Sequence, residues 1–153
     1  MAETEIIMGN VMDYLEWRGD LTFDQSPFND VDNVILSQLA YVNFRDVIPS
    51  VQMNKGITLK AAAQLFFDLH TEEELMQDKS FIKDAPKLLK KAAQTNRFRD
   101  VILSDYVDMV DETLEKQFGA FHIKLSPQCT YVAFRGTDDT LVGWKEDFNM
   151  SFI

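Results

Sequence analysis

The feature that most constrains this chain is a change of period near residue 97. Before it, apolar residues recur at helical spacing; after it, β-branched and aromatic residues alternate or run together. A period of 3.6 and a period of 2 bury different faces, so a helical part should precede a strand part. Residues 11–18 carry apolar side chains at 11, 12, 14, 15 and 17, a short amphipathic helix ended by Gly19-Asp20. Leu21-Thr22-Phe23 reads as a brief extended piece before Ser26-Pro27. Asn29 or Asp30 is the N-cap of a stronger helix, whose apolar positions 31, 34, 35, 36, 39, 40, 42 and 44 form a wide stripe. Ile48-Pro49 closes that unit. Gly56-Ile57-Thr58 opens a third helix, expected over 58–69. Thr71 caps a run of three glutamates, placed where the helix dipole favours acids. Asp84-Ala85-Pro86 starts a helix running to about Thr95; Pro86 is tolerated because its missing N–H would be unpaired in a first turn. Lys87, Lys90 and Lys91 read as a solvated basic face on it.

The second part holds two strand-like runs. Residues 98–111 include Val101, Leu103, Tyr106, Val107, Met109 and Val110, and residues 115–126 include Phe118, Phe121, Ile123 and Leu125. They are expected to pair as an antiparallel hairpin turning around 111–113. Pro127-Gln128 makes the next turn, and Thr130 to Phe134 is apolar on both faces, the mark of a central strand. Beyond Gly136 a helix starting at Asp139 or Thr140 would carry Leu141, Val142, Trp144 and Phe148.

A length of 153 residues points to one domain, and 46% hydrophobic content with twelve Phe is ample for a core. A net charge of −10 argues against nucleic acid and anionic membranes, both of which need clustered cations. The single cysteine, Cys129, can form neither an intrachain disulfide nor a zinc cluster. The acidic N-terminus is unlike a signal peptide, and no apolar run reaches the ~18 residues of a membrane span, so a cytoplasmic protein is expected.

One segment carries a more specific signal. Tyr131-Val-Ala-Phe-Arg-Gly-Thr, followed by Trp144 and Asp147, resembles the class 3 lipases, in which a strand ends in an apolar-apolar-Phe-Arg-Gly-Ser/Thr sequence with a spaced Trp and acid. Val132, Ala133, Phe134, Arg135, Gly136, Thr137, Trp144 and Asp147 fall on that pattern. The wider chain resembles the N-terminal portion of an uncharacterised bacterial family of lipase-like hydrolases. The resemblance implies a partial α/β-hydrolase-like fold: a helical region over 1–97, then over 98–153 the first strands of a mixed sheet and a helix. It also implies a serine esterase acting on small-molecule or lipid esters, without cofactor or metal. Acyl transfer develops an oxyanion that backbone N–H groups must meet, and in α/β-hydrolases one donor lies in the loop after a strand of this kind. By resemblance Thr137 is that donor; read from the residues alone, Gly136-Thr137 also fits a simple turn into a helix. Arg135 is expected to pair with an acid such as Asp147 or to hydrogen-bond loop carbonyls, and Trp144 to pack between helix and sheet, with interfacial contact near a lid as the alternative that the resemblance implies.

The rest of a catalytic triad is missing. No serine (26, 37, 50, 80, 104, 126 or 151) has glycines two residues to either side, and both histidines, His70 and His122, precede the proposed loop. Both are read as structural. No phosphate loop, zinc pair or calcium loop is present in the sequence, and Arg18-Gly19-Asp20 is read as a coincidence at a helix end. The chain is therefore expected to be an inactive N-terminal fragment of a hydrolase, with an unpaired sheet edge open to homo-oligomerisation. The alternative is a non-enzymatic binding or regulatory module derived from one.

Overall fold

In a computed structural model, the described residues are 11–77, 84–111, 113 and 116–136. Residues 11–18 form helix α1. Helix α2 spans Asp30–Leu39, followed by a 3₁₀ turn over Val51–Met53 and strand β1 over Gly56–Thr58. Helices α3 (Leu59–Leu69), α4 (Glu72–Gln77) and α5 (Ala85–Ala92) precede strands β2 (Ile102–Asp111), β3 (Lys116–Ser126) and β4 (Cys129–Arg135). Helices followed by strands are thus present as the sequence predicts.

Local chemistry explains most helix starts. Asn29 accepts hydrogen bonds from the N–H groups of Val31 and Asp32 while Asp32 accepts from the N–H of Asn29, a complete capping box. The Thr58 hydroxyl accepts from the N–H of Ala61 at the start of α3, and Pro86 occupies the first turn of α5. Gly19 follows α1 because nothing larger fits: a Cβ there would lie 2.2 Å from the Leu15 carbonyl oxygen and 2.7 Å from the Thr95 side chain.

The four strands form one antiparallel sheet in the order β1-β2-β3-β4. The helices cover one of its faces, where Leu103, Phe121, Ile123 and Ala133 join Ile35, Leu36, Phe44, Phe66, Leu88, Leu89 and Phe98 in a single buried cluster. The rows Val107–Ala120–Phe134 and His122–Val132 point to the opposite face. There Phe134 is 52% and Met109 62% exposed. Ladder pairing is interrupted between Ser104 and Val107 by a bulge, with Asp105 at φ 57°. Asp tolerates this left-handed conformation better than most residues. The bulge turns the Tyr106 ring toward the core, 6.4 Å from Phe121, while its N–H donates to the Pro49 carbonyl at 3.0 Å in a parallel bridge with Ser50.

Several expectations change. Gly56-Ile57-Thr58 is strand β1, paired with Ser104-Leu103-Ile102, because β2 offers an open edge there; the helix begins only at Leu59. Leu21-Thr22-Phe23 leads into a turn, and α5 stops at Ala92 rather than Thr95. The stripe at 40, 42 and 44 is buried, but in turns after α2, so burial there reports tertiary contact and not helix. Among the described residues β4 is an edge strand and not a central one: Ala133 is buried while Val132 and Phe134 are exposed. The four described strands also pair antiparallel where a mixed sheet is expected: hairpins join β2, β3 and β4, β1 is reached through three helices, and the one parallel contact is an isolated bridge between Ser50 and Tyr106.

Candidate functional site

The Tyr131-to-Phe148 segment begins on β4. Register pairing sets Arg135 opposite Gly119, and Gly119 opposite Asp108, so one row crosses three strands on the helix-covered face. Gly119 has no side chain to separate the two charged residues of that row. Asp108 is bound by the Arg45 guanidinium. Near them is Tyr106, whose hydroxyl pKa is raised, first by burial and then by the negative charge of Asp108; Arg135 and Arg45 oppose the shift. The end of β4 is therefore a polar corner built from Arg45, Tyr106, Asp108 and Arg135, and the chain leaves the sheet there at Gly136. Arg135 makes no ion pair with another described residue. Thr137, Trp144 and Asp147 lie outside the described residues, as does the helix expected after Gly136.

The two histidines are both held. His70 caps the end of α3, its ring 4.6 Å from that of Phe66 and its Nδ1 3.5 Å from Glu74. His122 faces the exposed side of the sheet with Nδ1 2.8 Å from Asp105 Oδ2. The Ser104 hydroxyl donates to that same carboxylate oxygen at 3.4 Å and not to the imidazole, so these three residues do not form a nucleophile–base pair.

Sequence reasoning missed a buried polar hub that stands out among the described residues. Asp32 and Arg97 are 0% and 2% exposed. They join through Nε at 2.8 Å and Nη2 at 2.5 Å, a two-pronged contact. Arg97 also donates to the carbonyls of Leu21, Thr22, Ser26 and Pro27 and lies 4.3 Å over the Phe23 ring. The Tyr14 hydroxyl donates to Asp32 at 3.1 Å and accepts from the Asn29 amide at 2.9 Å. Hydrogen bonding to Asp32 drives the Arg97 pKa further up, and burial raises that of Tyr14. Every polar atom is answered within the fold, so this hub is structural: it ties the 19–29 loop and α2 to the start of the sheet. Its only sequence trace was an Asp three residues after an N-cap.

The basic face of α5 is likewise divided. Lys91 pairs with Glu16 at 3.0 Å and Lys87 with Asp84 at 3.7 Å, whereas Lys90 lines a groove against α3. Cys129 is free and exposed at the start of β4. Among the described residues no group of three or more His, Cys, Asp or Glu could hold a metal, and no helix is long and apolar enough to cross a membrane.

A family model described as Mbeg1-like matches residues 92–153, less than half of the chain. The match begins at the last residue of α5 and takes in β2, β3, β4 and the whole Tyr131-to-Phe148 segment. No curated protein and no solved structure matches the chain.

Proposed function

We propose that this chain is the N-terminal part of a serine esterase or lipase-like hydrolase, contributing the loop that donates to the oxyanion. The observation that supports this reading most is the position of Phe134-Arg135-Gly136 at the end of β4, where the chain leaves a sheet backed by a helical layer. A loop at a strand end can aim backbone N–H groups outward, which acyl transfer requires. In this reading Thr137 donates, Arg135 braces the strand end, and Trp144 and Asp147 support the loop. In this reading the nucleophile and its His–acid partners come from outside these 153 residues, since no serine here has the elbow sequence and both histidines precede the proposed loop.

The test is labelling with a fluorophosphonate probe, which reacts with activated serines. Protein expressed from the full reading frame that contains residues 1–153 should label on a serine outside them, and Thr137→Pro, which removes the N–H, should lower ester turnover about 10²-fold. The 153-residue chain alone should neither label nor hydrolyse p-nitrophenyl butyrate. Labelling of the short chain, or none on the full one, overturns the reading.

A further inference from the structure

The groove between α3 and α5 is not used by the hydrolase reading. It encloses about 430 Å³. Ala63, Ala93 and Phe67 form its apolar floor, and Phe67 is held edge-on to Phe66 at 5.2 Å. The cations Lys60, Lys90 and Arg99 line it, with the carboxamides of Gln64 and Gln94 beside them. No carboxylate lines it among the described residues, in a chain whose acids outnumber its bases 25 to 15. Lys60 and Lys90 form no ion pair with any described residue, unlike Lys87 and Lys91. The Arg99 Nε is 3.4 Å from Asp100, but both side chains are exposed, and such a pair is readily exchanged for a better acceptor. Lys60 moreover sits in the first turn of α3, where the helix dipole disfavours a cation. The positive potentials of Lys60 and the helix end therefore add at the groove instead of cancelling.

We propose that this groove binds a phosphate monoester with a flat apolar body. Three cations, from α3, α5 and the segment before β2, suit a dianion with three acceptor oxygens; a planar carboxylate is satisfied by one arginine fork. The Phe67 ring and the two alanines offer the apolar body a surface between α3 and α5. This site lies apart from the end of β4 and does not depend on the hydrolase reading.

The test is isothermal titration of the 153-residue chain with phenyl phosphate, alongside inorganic phosphate, benzoate and phenol. Saturable binding of phenyl phosphate is expected, weakened by high salt. Inorganic phosphate and benzoate should each bind about tenfold more weakly, and phenol not at all. The double variant Lys60→Gln/Lys90→Gln should lose about tenfold in affinity, while Lys124→Gln, an exposed cation on the other face of the sheet, should match the parent. Both lysines of the groove are exposed, so the variants should keep the parent far-UV circular dichroism. No saturation at millimolar phenyl phosphate, equal affinity in the double variant, or benzoate binding as tightly as phenyl phosphate overturns the proposal.

Discussion

Replacing Arg97 by Met tests whether the buried hub holds the fold together. Met keeps much of the length and apolar stem but removes five donors. The Asp32 carboxylate, wholly buried, would keep only the Tyr14 hydroxyl and the Asn29 N–H, and four loop carbonyls would lose their donor. Removing one partner of a buried pair costs about 3–5 kcal/mol because the other charge is left uncompensated. Against a total stability of roughly 5–15 kcal/mol that is a large loss. With a urea m-value near 2 kcal/mol/M, the midpoint should fall by about 1.5–2.5 M, read by circular dichroism. The sharper test adds Asp32→Asn. Asn removes the stranded charge and still accepts through Oδ1, so the double variant should be more stable than Arg97→Met alone by about 1–2 kcal/mol. Limited proteolysis should also find new cleavage between residues 19 and 29. A loss below about 1 kcal/mol in the single variant, or further destabilisation by Asp32→Asn, would refute the reasoning.

Three further outcomes follow from the same geometry. Asn29→Ala removes the acceptor for two N–H groups and the amide that reaches Tyr14, and should cost about 1–2 kcal/mol in thermal unfolding. Gly19→Ala should destabilise although Ala is the better helix former, because its Cβ would overlap the Leu15 carbonyl and Thr95; unchanged Tm would contradict this. Tyr14, Tyr106 and Tyr131 all have pKa values raised above 10.0, chiefly by burial. Their neutral forms are favoured in the fold, so this contribution is intact below pH 10 and is lost as pH rises through the folded values. Denaturant midpoints should therefore drop at alkaline pH, and less steeply in Tyr106→Phe.

Much of the fold was legible because its signals act over a few residues. Asn29 as a cap, Pro86 in a first turn, and the hairpin between β2 and β3 depend on neighbours in sequence, and each is where the residues put it. Of the candidate site, the strand ending at Arg135-Gly136 was legible in the same way. Its companions were not: Arg45, Tyr106 and Asp108 share the Arg135 corner only through a bulge at Asp105 and the register that sets Asp108 and Arg135 on either side of Gly119. The same holds for β1, which is a strand only because β2 lies beside it, and for β4, whose apolar run fits a central strand but has a described partner on one side. The separation of Lys90 from Lys87 and Lys91 depends on where α3, Glu16 and Asp84 lie. Asp32 and Arg97 stand 65 residues apart. Local propensity is a property of the chain, and the sequence carries it openly; a buried charge is tolerated only where the folded chain delivers its partner, and only the tertiary structure decides that.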